Sequence, residues 1–591
     1  TGGNNIGIGK NAGAGLTTGI SNVVIGDGAL DTAATADVDY NVTIGYDAGL
    51  GITSDGNVTI GAFAGQYIKG GSSVHIGYET GKFASGSSNT FVGHQSGKGG
   101  TTSAPYSSGE YNTAIGYQAF DSFTSGWRSV AIGYHAGSNV TSGGANVFIG
   151  EQAGTAHDDS NYNVLIGYRV GGNGTSGAGD NNVVIGAQAG GQQATMTGGN
   201  NTIVGMQAMQ YATTTSGNIS IGWDSGNALS TGDYNIFMGY SAGSNTTDVD
   251  YSVIIGFQAG NGVLTSAADG TIAIGYQALG THTTGARNMA IGYAAMNDTD
   301  AGSTSLGSLD NIFIGYDAGG GTWADAASSY NVGIGNYVMD SALNGAINNV
   351  AIGHTALSAV TEGDRNVAIG HGAQLYGTTA NSNVSVGNSA LYYNVTGTNN
   401  VAIGRDSMGG ASGQSHSNNT AVGYASLMSI TTGYQNAVIG TYAGDAITTG
   451  QNNTALGYAA LSAEDTGTRN VAIGNEALRV LNYDGAGYNV AVGHRAGYAL
   501  TTGTVNTFIG AFAGGATDDG TRNVVLGYAA MDTGNAGDDN IAIGYGALQD
   551  TTADDNIAIG SYAMTQHTTG TRNIAIGIST MDDTDAGSTS L

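Results

Sequence analysis

One phrase, close to Asn-Val-Ala-Ile-Gly-Tyr, recurs 33 times from Gly9 to Gly577, counting each copy by its central glycine. Eighteen of the 32 intervals are 17 residues long and most of the others are 16 or 19. A chain this periodic stacks near-identical units on one another, because no single unit of that length buries a core alone. Composition narrows the kind of unit. With 105 Gly, 1 Pro and only 14 Lys and Arg, long helices lack their usual residues, and collagen lacks both its proline and its three-residue glycine period. A hydrophobic content of 40% at fixed spacing argues equally against disorder.

Taking the central Gly as position zero, position −1 is Ile in 25 copies and Val, Leu or Met in the rest. Position −3 is mostly Val, Ile or Thr, so alternation assigns the −1 and −3 side of a short strand to a core. Ile132, Ile149, Ile166, Ile352, Ile369 and Ile473 are the core residues expected on this reading. Position −4 is Asn in 29 copies, replaced only by Ser73, Ser129, Ser252 and Thr271. In strands stacked about 4.8 Å apart, amides such as Asn366, Asn383, Asn400, Asn470, Asn523 and Asn540 form a hydrogen-bonded ladder. The constant Gly marks a bend into a second short strand, and Ala at +3 in 25 copies says that this strand runs close to the first. The fold expected is therefore all-β: a β-solenoid of about 33 coils, forming one continuous domain over residues 1–591. Position −2 is also apolar in 26 copies, so both strand faces need cover, and a second copy of the chain is the natural source of it.

The remaining balance of residues excludes several functions. A net charge of −29 opposes phosphate binding, so nucleic acid is not an expected partner. No apolar run is long enough for a membrane-spanning helix. The chain opens on Thr1 without a charged and apolar leader, and its last residues, Asp583 to Leu591, duplicate Asp298 to Leu306; it reads as a processed chain or a segment of a longer one. Absence of Cys removes thiol nucleophiles and disulfides together. The few His, Arg and Lys are spread singly, with no hydrolase signature, so an enzyme is not expected.

The phrases Asn470-Val471-Ala472-Ile473-Gly474 and Asn540-Ile541-Ala542-Ile543-Gly544 resemble the head repeats of trimeric autotransporter adhesins of the YadA type. The Thr568 to Asn573 turn is similar to those of phage tail-fibre and other surface-fibre proteins. That resemblance implies a left-handed parallel β-roll, a homotrimer, and adhesion at an extracellular cell or virion surface through a glycan or protein receptor. The repeat here is nearer 17 residues than the shorter adhesin repeat, and no coiled-coil stalk or membrane anchor is present. An extracellular filament or sheath subunit that assembles end to end, and a phage tail-fibre shaft, are the alternatives.

Three groups of side chains are candidates for ligands. Position +1 is Tyr in 13 copies, including Tyr117, Tyr134, Tyr276, Tyr293, Tyr528 and Tyr545. Such rows bind sugar rings or apolar faces, or simply pack on one another to stabilise the stack, which is the plainer reading. Asp298 and Asp300, repeated as Asp583 and Asp585, alternate as in calcium loops but lack the closing glutamate. Calcium is the one cofactor left open by the sequence. Six copies carry Arg at −5, among them Arg128, Arg469 and Arg522, to read an acidic sugar or, more simply, to pair with turn aspartates such as Asp465 and Asp519. His354 and His371 share position +1 in consecutive copies, without a third ligand for a metal.

Overall fold

Each coil places three residues, −3 to −1, in a β-strand that pairs in parallel with its counterpart in the next coil. Val130, Ala131 and Ile132 lie opposite Val147, Phe148 and Ile149, so the register advances by one whole repeat. The computed structural model describes all residues except 1–2, 32–36, 156, 173–178, 192–195, 300–306, 325 and 583–591. Two units make up the chain, Thr1–Tyr293 and Ala294–Leu591. In the first, strands run from Ile6–Ile8 to Met289–Ile291; in the second, from Ile312–Ile314 to Ile574–Ile576. Each unit is a parallel β-solenoid, and the only helical element among the described residues is a single 3₁₀ turn at Ser266–Ala268 in the first.

The segment after the central Gly is not a second strand. Positions +2 and +4 adopt left-handed conformations instead, as at His135 (φ 55°) and Gly137 (φ 58°). The coils still hydrogen-bond through it: the His135 N–H donates back to Tyr117 O (2.9 Å) and the Gly137 N–H forward to Ala153 O (2.8 Å). Alternating the sign of φ lets the backbone satisfy both neighbours while curling tightly around Ala at +3, which a pleated strand cannot do. At position zero φ lies near +130 to +149°, a region open essentially to glycine. A methyl on Gly353 would also come within 2.6 Å of the Gly370 carbonyl oxygen.

The two strand faces are reversed from the sequence expectation. Ile132, Ile149, Ile166 and Ile473 are half-buried, and Ile352 and Ile369 are 36% and 37% exposed, whereas Ala131, Phe148, Leu165, Ala351, Ala368 and Ala472 are buried. Position −2 therefore faces the coil interior, and −1 and −3 face out. The Asn at −4 decides this parity: its amide is fully buried at the inner corner, and the residue two positions on must point the same way.

The Asn column is the ladder expected, in a more specific form. Each Oδ1 accepts the backbone N–H of the next Asn, as from Asn383 to Asn366 (3.1 Å), Asn400 to Asn383 (2.9 Å) and Asn540 to Asn523 (2.9 Å). Nδ2 reaches the turn carbonyl of the following coil, Asn366 to Ala380 O (2.6 Å) and Asn383 to Gly397 O (2.9 Å). Asn470 accepts from Asn489, but its Nδ2 has no partner. The exceptions keep the acceptor: Ser73, Ser129 and Ser252 Oγ take the N–H groups of Asn89, Asn146 and Thr271.

Inside the coil, position −2 packs beside position +4, and their sizes compensate. Phe91, Phe148, Phe237, Phe313 and Phe508 each face Gly at +4. Where −2 is Ala, +4 is usually Leu or Met, as in Ala273 with Leu279 and Ala402 with Met408. Coils small at both positions borrow a neighbour's side chain: Gly497, paired with Ala491, sits under Leu478 and Phe508 of the flanking coils. Close packing at constant volume lets successive coils keep the same register.

Candidate functional site

The outward face of the strands carries Ile, Val, Leu or Met at −1 in every described coil. Its isoleucines are half-buried to exposed: Ile76, Ile115, Ile185 and Ile221 in the first unit and Ile334, Ile352, Ile369 and Ile403 in the second are 36–39% accessible. Branched apolar side chains in an unbroken row are unusual on a solvated surface, where large apolar patches mark interaction sites. The sequence located an apolar face in need of cover but put it at −2 rather than at −1 and −3.

The Tyr residues at +1 form columns beside that face. Tyr117 stacks on Tyr134 (5.4 Å between centroids, 12° between planes), and Tyr528 on Tyr545 (5.3 Å, 11°). In a column of five, Trp223, Tyr240, Phe257, Tyr276 and Tyr293 follow at 4.7, 5.0, 5.3 and 4.8 Å. Inside such a column both ring faces are covered by neighbours. What reaches solvent is the ring edge and the phenol oxygen, a geometry that stabilises the stack and offers hydroxyls rather than flat faces to a ligand. His354 and His371 stack in the same way at 5.2 Å and 5°.

The acidic turns serve the backbone. Asp298 accepts from the Thr322 hydroxyl (2.6 Å) and through its carbonyl from the Trp323 N–H (2.9 Å); Asp300, Asp583 and Asp585 lie outside the described residues. Among the described residues no three His, Asp or Glu side chains converge to hold a metal ion. A second ladder, missed in the sequence, runs along position −6. The Asp233 N–H donates to Asp250 Oδ1 (2.7 Å) and the Asp250 N–H to Asp269 Oδ1 (2.9 Å). Its signal was present as recurrent Asp, Asn and Ser two residues before the Asn column.

Two arginines at −5 pair with turn aspartates of an adjoining coil, Arg572 with Asp555 (3.6 Å) and Arg522 with a pair other than Asp519. Arg522 binds Asp539 through two bonds of 2.7 Å and touches Asp538, one coil on, rather than Asp519. Arg469 lies over the Tyr488 ring at 5.4 Å, and the Asp465 carboxylate takes the Thr448 hydroxyl. Two carboxylates at +2, Glu79 and Glu476, each gather two ion pairs. Burial opposes ionisation of Glu79, but hydrogen bonds from Lys82 and Gln95 and the charge of Lys98 hold it down to about 2. Glu476 is held low by Arg495 and Arg479.

A few titratable groups sit in the interior, and periodicity gave no warning of them. Burial lowers His75 to about 3, and neither of its ring nitrogens has a partner; it stacks on Phe91 at 5.1 Å. Glu464 accepts the Gly467 N–H at Oε1 (2.7 Å), leaves Oε2 unpaired, and is raised by burial to about 7. No protein-family model matches the chain, and no curated protein matches it.

Proposed function

We propose that this chain is a non-catalytic fibre subunit that associates with further copies of itself through the −1 and −3 face and displays its turns and aromatic columns for attachment to a cell or host surface. The observation that carries the reading is the row of partly exposed Ile and Val along each unit, which water covers poorly and an identical row covers well. The resemblance to YadA-type heads implies three copies around one axis and an extracellular setting. A unit of 17 coils at about 4.8 Å per coil extends about 80 Å, which suits a spacer that presents loops away from its base. Stability by near-neighbour stacking also suits a role in which length matters more than a single preorganised site.

Since the chain contains no Cys, a single introduced thiol reports on assembly without background. In the Ile369→Cys variant, mild oxidation is expected to give a covalent dimer band on a denaturing gel, while a Cys at the opposite turn, Thr379→Cys, gives none. Monomer alone in the Ile369→Cys lane contradicts the face assignment. Adhesion is tested by the attachment of labelled wild-type protein to cells against an Ile352→Asp/Ile369→Asp variant; equal attachment would separate binding from assembly.

A further inference from the structure

Two consecutive coils carry large side chains, Glu110 and Trp127, at position −6, where the ladder-forming coils carry Asp, Asn or Ser. Together with Tyr111, Arg128, Ser108 and Ser125 they line a surface cavity of about 380 Å³. The Trp127 indole lies flat over Gly144, where any Cβ would overlap the ring, and its edge meets Tyr162 at 6.4 Å and 85°. The Arg128 guanidinium lies over the indole at 5.3 Å and over the Tyr111 ring at 5.9 Å. Arg128 and Glu110 do not pair with each other, and neither forms an ion pair among the described residues.

This combination selects a chemistry. An aromatic floor favours a ligand with an apolar face, while a guanidinium and a carboxylate that lack ion-pair partners would gain no hydrogen bond from a purely apolar guest. An anion meets Glu110 and the field of a chain carrying −29, and a cation meets Arg128. A neutral ring with C–H groups on one face and hydroxyls around its edge satisfies every part, and the volume lies at the low end of small-molecule sites, where one or two rings fit. We propose that this cavity binds a neutral hexopyranose residue of a glycan, seated on Trp127, its hydroxyls accepting from Arg128 and donating to Glu110. The site lies within one chain, so it stands or falls separately from the assembly proposed above.

The test is saturation-transfer NMR and indole fluorescence on the full chain with methyl hexopyranosides, maltose and lactose, and with sialyllactose as the anionic counterpart. At least one neutral saccharide is expected to bind with a Kd of about 1 mM or tighter. Trp127→Ala should weaken it at least tenfold, Glu110→Gln and Arg128→Gln several-fold, and Trp127→Phe the least. Glu110→Gln and Arg128→Gln alter surface side chains, so they carry the test if Trp127→Ala fails to fold. The proposal is overturned by no neutral saccharide binding at about 10 mM, by affinity that is unchanged in Trp127→Ala, Glu110→Gln and Arg128→Gln, or by tighter binding of sialyllactose than of lactose.

Discussion

The Phe148 ring occupies the space that a side chain on Gly154 would need: a Cβ added at Gly154 would overlap the ring edge, six residues on in the same coil. The pair is one solution to a fixed interior volume, and Ala273 with Leu279 is the other. Phe148→Ala alone should open a cavity costing about 3–5 kcal/mol, and Gly154→Leu alone should overpack the coil by about 1–3 kcal/mol plus the cost of its left-handed φ. Combined, the two should recover much of the loss. Hydrogen exchange of the amides between Val147 and Val164 reads the local effect, and strictly additive destabilisation would contradict the compensation.

The Asn column predicts a graded series at Asn383. Alanine removes the acceptor of the Asn400 N–H, leaving that buried group unpaired at about 1–3 kcal/mol, and one of the two donors to Gly397 O, which keeps Asn394 Nδ2. Serine keeps an acceptor, as Ser73, Ser129 and Ser252 do, and should cost distinctly less. Amide protection at Asn400, measured in the two variants, checks the order; equal loss would mean that the hydroxyl does not substitute for the amide.

Glu464 makes stability depend on pH in an unusual direction. Its folded pKa of about 7 lies above the ordinary 4.5, so the folded chain binds the proton more tightly than the unfolded one. The contribution is present below pH 4.5 and is lost as pH rises through 7, on the order of 3 kcal/mol in all. Glu464→Gln should abolish that dependence and be the more stable form at pH 8. The comparison is read from the exchange of the Gly467 N–H between pH 5 and pH 8; a parallel pH response in both proteins would contradict it.

How much of this was legible follows from which signals are periodic. The strand at −3 to −1, the Gly bend and the Asn column were readable because each recurs at one position and obeys one steric or hydrogen-bonding rule. Orientation was not readable from hydropathy, because −1 and −2 are both apolar in most copies. The better signal was variance: −2 ranges from Gly to Phe in step with +4, as an enclosed volume requires, whereas −1 barely changes, as a repeated contact surface allows. The second strand failed for another reason. Tyr, Gln, Arg and Asp all occupy left-handed positions at +2, so residue identity there does not announce the backbone. The cavity at Trp127 escaped notice because it is a local exception to the repeat, and Glu464 and His75 because single polar residues in an array carry no period.

The outward Ile and Val face is the feature on which the functional account turns. Multi-angle light scattering of the intact chain at micromolar concentration tests it most directly. The account predicts a mass three times 58.8 kDa, falling toward one copy in the Ile352→Asp/Ile369→Asp variant. A wild-type mass of 58.8 kDa would leave that face in water and contradict the account.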